Sequence, residues 1–275
     1  MRSWIAGGWR KYRTKNQIEQ QADGHVVGWR HLRYLYELCA IRIHGSRMLF
    51  MYWTHPDLKD PPGAPAWRQL YPEFRVFTDE DVIPLLPEAF IDVFKSIRLP
   101  AAKSDIARFF LLRRYGGLYM DAHFGPTAPA RLLETLDKLS AYSVIVFGQG
   151  WEMKKETDFD LMNGIVAARK AAPPLDLIIN RIVKNVLEHK SREDSTSEYV
   201  PYNLWGMTGT YVIVQEFFDQ VHPHPRIKAH LEEEAFPHFM KNNSDSGFEI
   251  SAYNVYRKPG NHWSERQSIE RFFLD

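Results

Sequence analysis

Four side chains near the middle of the chain have the types and spacing for chemistry: Asp105, Arg108, Asp121 and His123. Asp121 and His123 offer a carboxylate and an imidazole two positions apart. That donor pair suits Mn²⁺ or a similar divalent ion. Such an ion can neutralise a departing diphosphate. Asp105 and Arg108 form a second polar pair that could hold a ligand in position. The apolar run Phe109-Phe110-Leu111-Leu112 separates the two pairs, followed by Tyr115-Gly116-Gly117-Leu118-Tyr119-Met120.

The elements that must position them can be read from the same stretch. Ser104 can accept a backbone N–H at a helix start, where the helix dipole also favours the charge of Asp105. Ile106, Phe109, Phe110 and Leu112 follow at roughly helical spacing, which predicts one apolar face. Gly116 and Gly117 permit the backbone that ends a helix. Leu118-Tyr119-Met120 is too short for a helix and fits a buried strand. Residues two apart on a strand point the same way, so Asp121 and His123 should project together beyond its carboxyl end. Open α/β sheets bind ligands there. Plainer readings compete: Asp105 as a helix-start charge, Arg108 as its surface partner, Asp121-Ala122-His123 as a polar turn. Each is ordinary alone; the joint order favours chemistry.

Lys103-Ser104-Asp105-Ile106-Ala107-Arg108, Gly116-Gly117-Leu118-Tyr119 and Asp121 resemble the sugar-binding region with the Asp-X-Asp motif of the family 32 glycosyltransferases. That group includes Och1-like mannosyltransferases and bacterial capsule and lipopolysaccharide enzymes, and the large clostridial toxins carry a similar block. Met48 to Trp53, Trp67 and Tyr71 to Phe77 add to the likeness. So, more weakly, do Asn163 to Ala167, Thr208-Gly209 and Asn261 to Ser264. The resemblance implies a GT-A (Rossmann-like) α/β nucleotide-sugar-binding domain with a mixed central sheet. It implies a UDP- or GDP-sugar donor with Mn²⁺ or Mg²⁺, and retention of configuration. Asp105 and Arg108 would bind the donor sugar or phosphate, Trp53 would lie near the base, and Asp121 would hold metal and diphosphate. Tyr119 belongs to the matched donor-binding block, and His262 and Trp263 would close over the phosphates. The catalytic set would be Asp105, Arg108 and Asp121; the metal set, Asp121 and His123. His123 stands where the family has its second aspartate. Polypeptide N-acetylgalactosaminyltransferases use an Asp-X-His version, and a histidine ligand makes metal affinity depend on pH.

Bulk properties set the frame. The chain has 275 residues, 44% of them apolar, with a net charge of +1. One cysteine, Cys39, rules out an intrachain disulfide and a cysteine–histidine zinc framework. The opening residues lack the sustained apolar core of a signal peptide. No stretch offers about 18 uninterrupted apolar residues. These features predict a cytoplasmic protein.

Charge divides the chain. Residues 1–47 carry about six net positive charges, with Trp4, Trp9, Tyr12, Trp29, Tyr34 and Tyr36 among them. We therefore divide the chain into a basic aromatic segment, residues 1–46, expected to be helical, and a domain, residues 47–275. The segment can pack on the domain through residues 27–43. It can also touch an anionic membrane at the inner face. The remainder is mildly acidic, which speaks against nucleic acid.

Beyond residue 47 an α/β pattern runs through the chain. Strands are expected at Met48–Trp53, Phe74–Phe77 and Tyr142–Phe147, the last ended by Gly148. Helices are expected at Ala66–Leu70, Glu88–Ile97, Arg131–Ser140, Leu175–His189 and Tyr211–Phe218. Asn163–Ala168 fits a strand or a helix start. Ser191–Glu198 reads as a loop, and His222-Pro223-His224-Pro225 as a rigid turn. The expected activity is sugar transfer to a hydroxyl of a glycan or lipid-linked acceptor. A non-catalytic sugar-nucleotide or glycan-binding relative and a metal-dependent nucleotidyltransferase are the alternatives.

Overall fold

The computed structural model describes residues 48–55, 58–149, 160–219, 226–240, 246–250, 260 and 262–274. The basic segment 1–46 with Cys39, the domain boundary after it, the turn 222–225 and Asn261 lie outside the described residues. The chain runs through β1 (Leu49–Tyr52), α1 (Ala64–Leu70), β2 (Arg75–Phe77), α2 (Asp79–Val82), α3 (Glu88–Ser96) and α4 (Pro100–Tyr115). It continues with β3 (Gly117–Met120), β4 (Phe124–Pro126), α5 (Pro129–Leu136), β5 (Val144–Gln149), β6 (Asp160–Ala168) and α6 (Pro173–Asp194). Last come α7 (Leu204–Met207), α8 (Thr210–Phe217), β7 (Phe218–Asp219), β8 (Arg226–Ile227), β9 (Ala235–Met240), β10 (Phe248–Ile250) and α9 (Trp263–Arg266).

Six strands form one sheet in the order β2-β1-β3-β6-β5-β9. β1 pairs in parallel with β2 and β3, and β5 with β9; β6 runs antiparallel to both β3 and β5. This is the mixed α/β sheet that the family resemblance implies. Alternation sorts its side chains into two cores. Phe50, Tyr52, Tyr119, Val144, Val146 and Val166 face one side with α4, α6 and α8. Leu49, Met51, Leu118, Met120, Ile145 and Ile165 face the other with α1 and α5.

The α4–β3 corner depends on its glycines. Gly116 and Gly117 have φ of +69° and +99°, where other residues are strained. A Cβ on Gly117 would lie 2.0 Å from the Met48 carbonyl oxygen, so glycine lets β3 pair closely beside β1.

Several expectations need correction. α4 begins at Pro100, with Leu99 at its N-cap, so Ser104 and Asp105 sit inside the helix and do not start it. Proline there suits a first turn whose N–H groups have no helical partner. Nor is only one face of α4 apolar. Ala102 and every residue from Asp105 to Leu112 are buried, because the helix is covered on several sides. β5 continues through Gly148 to Gln149 on the support of β9. Asn163–Ala168 is strand, part of β6. The expected loop at Ser191 is helix as far as Asp194, because Glu193 is buried and holds the C-terminal residues.

Candidate active site

β3 ends at Met120, and Asp121-Ala122-His123 forms a turn into β4. Strand alternation therefore does not aim these side chains; the turn does. Phe124 N–H donates to the Asp121 carbonyl at 3.1 Å, and Gly63 N–H to the Ala122 carbonyl at 2.7 Å. Both Asp121 and His123 nonetheless line one cavity of about 670 Å³, together with Asp105 and Arg108. The sequence predicted this convergence at the carboxyl end of the strands, although by a different local geometry.

A bulge in β6 completes the floor. Val146 pairs with Val166, but Phe147 pairs with Met162, so residues between them escape the ladder with β5. Such irregularities re-aim side chains. Here they turn Asn163 and Gly164 toward the site. Asn163 Nδ2 donates to Asp105 Oδ1 at 3.0 Å, and the Asn163 carbonyl accepts from Arg108 Nη1. The Gly164 carbonyl accepts the Asp121 N–H at 2.8 Å. A Cβ on Gly164 would lie 2.7 Å from Asp121 Oδ2, so this carboxylate needs glycine there.

Asp105 and Arg108 are both buried, one turn apart on α4, with Arg108 Nη2 2.7 Å from Asp105 Oδ1. Thr208 Oγ1, also buried, donates to Asp105 Oδ2 at 3.0 Å. Arg108 Nη2 also lies 3.5 Å from Asp121 Oδ1, which accepts from Tyr119 Oη at 2.6 Å. Tyr119 Oη shares a further hydrogen bond with Ser104 Oγ at 2.7 Å, and the guanidinium lies 4.7 Å from the Tyr119 ring centre. Burial pushes the Asp105 carboxyl up to about 6; Arg108 opposes this, the Asp121 charge adds to it, and the Thr208 and Asn163 hydrogen bonds oppose it. Burial also raises the Tyr119 phenol, which therefore stays a hydrogen-bond donor.

The other expected residues divide. Trp53 lines the cavity at the end of β1, stacked on His55 with ring centres 5.5 Å apart and its indole N–H on the Leu58 carbonyl. His262 and Trp263 line the cavity from α9. Tyr119 does not; it is fully buried and acts on the site through Asp121. Asn163 and Thr208 are the partners that the sequence reading left without a role. They appeared in it only as weak flanking similarities.

The donor set fits a divalent ion. Two carboxylates against one guanidinium leave the floor with a net negative charge. Asp121, its side chain 26% exposed, and His123 both reach the cavity. Among the described residues no group of three or more His, Cys, Asp or Glu gathers to enclose an ion. An ion held by this pair would share its remaining positions with ligand phosphate and water, as Mg²⁺-type sites do.

Residues 65–143 match the glycosyltransferase sugar-binding region containing the DXD motif. A curated relative, mannosyl phosphorylinositol ceramide synthase CSH1 of Saccharomyces cerevisiae, is 26% identical over 125 residues. That match covers 45% of this chain and 27% of the relative, so it spans about a quarter of the relative's length. Among solved structures, PaToxG glycosyltransferase is similar at a TM-score of 0.36 and 14% identity, covering 67% of this chain and 78% of that one. The matched region contains α4, β3 and the Asp121-Ala122-His123 turn. By that match and the yeast relative, residues 65–143 are similar to the sugar-binding region of glycosyltransferases that carry a DXD motif.

Proposed function

We propose that the chain transfers a sugar from a nucleoside-diphosphate sugar to a hydroxyl of a glycan or glycolipid acceptor. The observation that carries this reading is the joining of Asp105, Arg108 and Asp121 into one hydrogen-bonded floor beneath a cavity that Trp53 and His123 also line. Asp121 and His123 would hold Mn²⁺ or Mg²⁺, which when bound offsets the charge of the leaving diphosphate.

The chain's own residues have separable tasks. Asp105 accepts sugar hydroxyls in a low-dielectric setting, where a hydrogen bond to a charge is strong. Arg108 holds the Asp105 and Asp121 carboxylates in register. Tyr119 fixes one oxygen of Asp121, and Gly164 gives the other room. Trp53 offers a flat face at the base end. His262 and Trp263 limit water at the mouth, which favours transfer over hydrolysis. Retention of configuration, with the leaving phosphate taking the acceptor's proton, follows the family resemblance. The yeast relative's name accords with a lipid-borne acceptor, and the basic residues 1–15 with contact at an anionic membrane.

The test is a screen of UDP- and GDP-sugars with Mn²⁺ or Mg²⁺, reading nucleoside diphosphate release. Asp121→Ala should abolish release while far-UV circular dichroism stays that of the parent. Full release in that variant would remove the assignment. Binding of donors with no release from any of them would favour a binding protein, and release of pyrophosphate a nucleotidyltransferase.

A further inference from the structure

Trp205 has no task in the donor reading, yet it lines the same cavity. It is 47% exposed, unusually open for so large a ring. Its indole stacks on Tyr211, with ring centres 4.9 Å apart and planes 21° from parallel. Tyr211 is not part of the cavity wall. One indole face is therefore covered by tyrosine, and the residue, nearly half exposed, borders the cavity.

The backbone that carries the ring is also held in place. Asn203 Oδ1 caps α7 by accepting the Trp205 N–H at 3.1 Å. A Cβ on Gly209 would meet Trp205 Cα at 3.1 Å, so glycine lets the α8 start press against the tryptophan backbone. Leu204 N–H donates to Gln267 Oε1 at 3.0 Å, tying α7 to the chain just beyond α9. Most telling is Thr208, three residues on, which donates to the buried Asp105 carboxylate. A single short segment joins the floor, where the donor sugar would lie, to an aromatic ledge.

We infer that Trp205 is the platform for the acceptor, and that the acceptor group seated there is a pyranose ring. This rests on the transferase reading above. A sugar ring has one face of C–H bonds that packs on an aromatic plane and a rim of hydroxyls that needs polar neighbours. Thr210 and Arg266, which line the cavity with Trp205, supply such neighbours. Trp53 with His55 offers a second aromatic stack in the same cavity, so base and acceptor can each have a flat surface with the charged floor in reach of both.

Saturation-transfer NMR on the full chain, with methyl α-D-mannopyranoside and methyl β-D-glucopyranoside as probes and UDP and GDP as competitors, tests this. Transfer to ring C–H protons of at least one glycoside is expected. Trp205→Ala should weaken that glycoside's binding roughly tenfold, and Trp205→Phe should restore most of it. Saturating UDP or GDP should leave the glycoside signal in place. Absence of signal with both glycosides, its persistence in Trp205→Ala, or its displacement by nucleotide would each overturn the inference. Failure of the transferase reading would show separately, as absence of nucleoside diphosphate release in the donor screen. In turnover assays the rise in KM should fall on the acceptor and spare the donor; the reverse would make Trp205 a donor residue.

Discussion

Replacing Glu193 by alanine should destabilise the fold by about 3–5 kcal/mol, because two short hydrogen bonds to a buried carboxylate are lost. Glu193 lies at the end of α6 and is 1% exposed. Its Oε1 accepts from Phe272 N–H at 2.8 Å and pairs with His189 Nε2 at 3.0 Å. Arg192 Nη2 lies 3.1 Å from His189 Nδ1 and can only donate, so the imidazole proton belongs on Nε2, facing the carboxylate. Each short bond to a charged acceptor contributes about 1.5–3 kcal/mol. Phe273 N–H and Arg271 Nε lie farther from Oε2, at 3.4 and 3.5 Å, and add little. The alanine variant leaves the Phe272 amide and the imidazole without a carboxylate beside buried aromatic rings. The same tail also binds the α3–α4 junction, with Arg98 N–H on the Phe272 carbonyl at 2.9 Å and Leu274 N–H on the Ser96 carbonyl at 2.6 Å. Its release should loosen α9 and the cavity wall that α9 supplies. Urea unfolding followed by far-UV circular dichroism measures the loss, and limited proteolysis after Arg266 reports the tail. Glu193→Gln keeps an acceptor for Phe272 and should cost less than alanine. A loss in the alanine variant of under about 1 kcal/mol would refute the argument that this carboxylate clamps the tail.

Two further outcomes can be checked. Gly164→Ala should push the Asp121 carboxylate aside and cut nucleoside diphosphate release at least roughly tenfold, with only a small change in melting temperature, because the clash falls on a rotatable side chain; parental turnover would show that Asp121 tolerates displacement. Burial lowers the His189 imidazole below its ordinary value, the neighbouring Glu193 opposing, so the unfolded chain takes up the proton first. The stability this residue contributes is present above about pH 6.5 and is lost as pH falls through the lower folded-state value. Urea midpoints from pH 7.5 to 5 should fall less steeply in His189→Gln than in the parent; equal slopes would exclude the imidazole as the source.

The parts of the site legible in the sequence are those made by one continuous stretch. Asp105 and Arg108 on α4, the paired glycines and Asp121 with His123 after β3 carry their spacing with them, and that spacing survives in the fold. Thr208 and Asn163 lie far along the chain from Asp105 and reach it through a helix end and a strand bulge. The one local sign of the bulge is the Asn163-Gly164 pair inside an apolar run, since glycine within a strand often marks a bulge or a close approach. The polarity of Ser191–Glu198 misled for a related reason. Glu193 looks solvated in sequence because its partners are backbone amides of Phe272 and Phe273, which composition does not display. Ser104 misled in the opposite direction. It has the chemistry of a helix cap, but Pro100 had already begun the helix, which left its hydroxyl to meet Tyr119.

Hydrogen-bonding capacity separates the roles of the two buried ions on α4. A carboxylate has about four acceptor sites. Asp105 spends two on Oδ1, to Arg108 and Asn163, and one on Oδ2, to Thr208. One acceptor position on Oδ2 is left for a ligand hydroxyl, and Asp105 lines the cavity where such a hydroxyl would come. Arg108 is spent differently. Nε donates to the Ser104 carbonyl at 3.2 Å, Nη1 to the Asn163 carbonyl, and Nη2 to Asp105, with Asp121 close by. Its side chain is only 3% exposed. A guanidinium so occupied has little left to offer a phosphate directly. Its main effect is on the carboxylates: it lies 2.7 Å from Asp105 Oδ1 and 3.5 Å from Asp121 Oδ1, and its charge opposes the upward push of burial on Asp105. Lysine, with a single nitrogen, could not reach two carbonyls and two carboxylates at once. The arginine thus sets the geometry in which Asp121 faces the cavity and Asp105, on the proposed reading, would receive a hydroxyl.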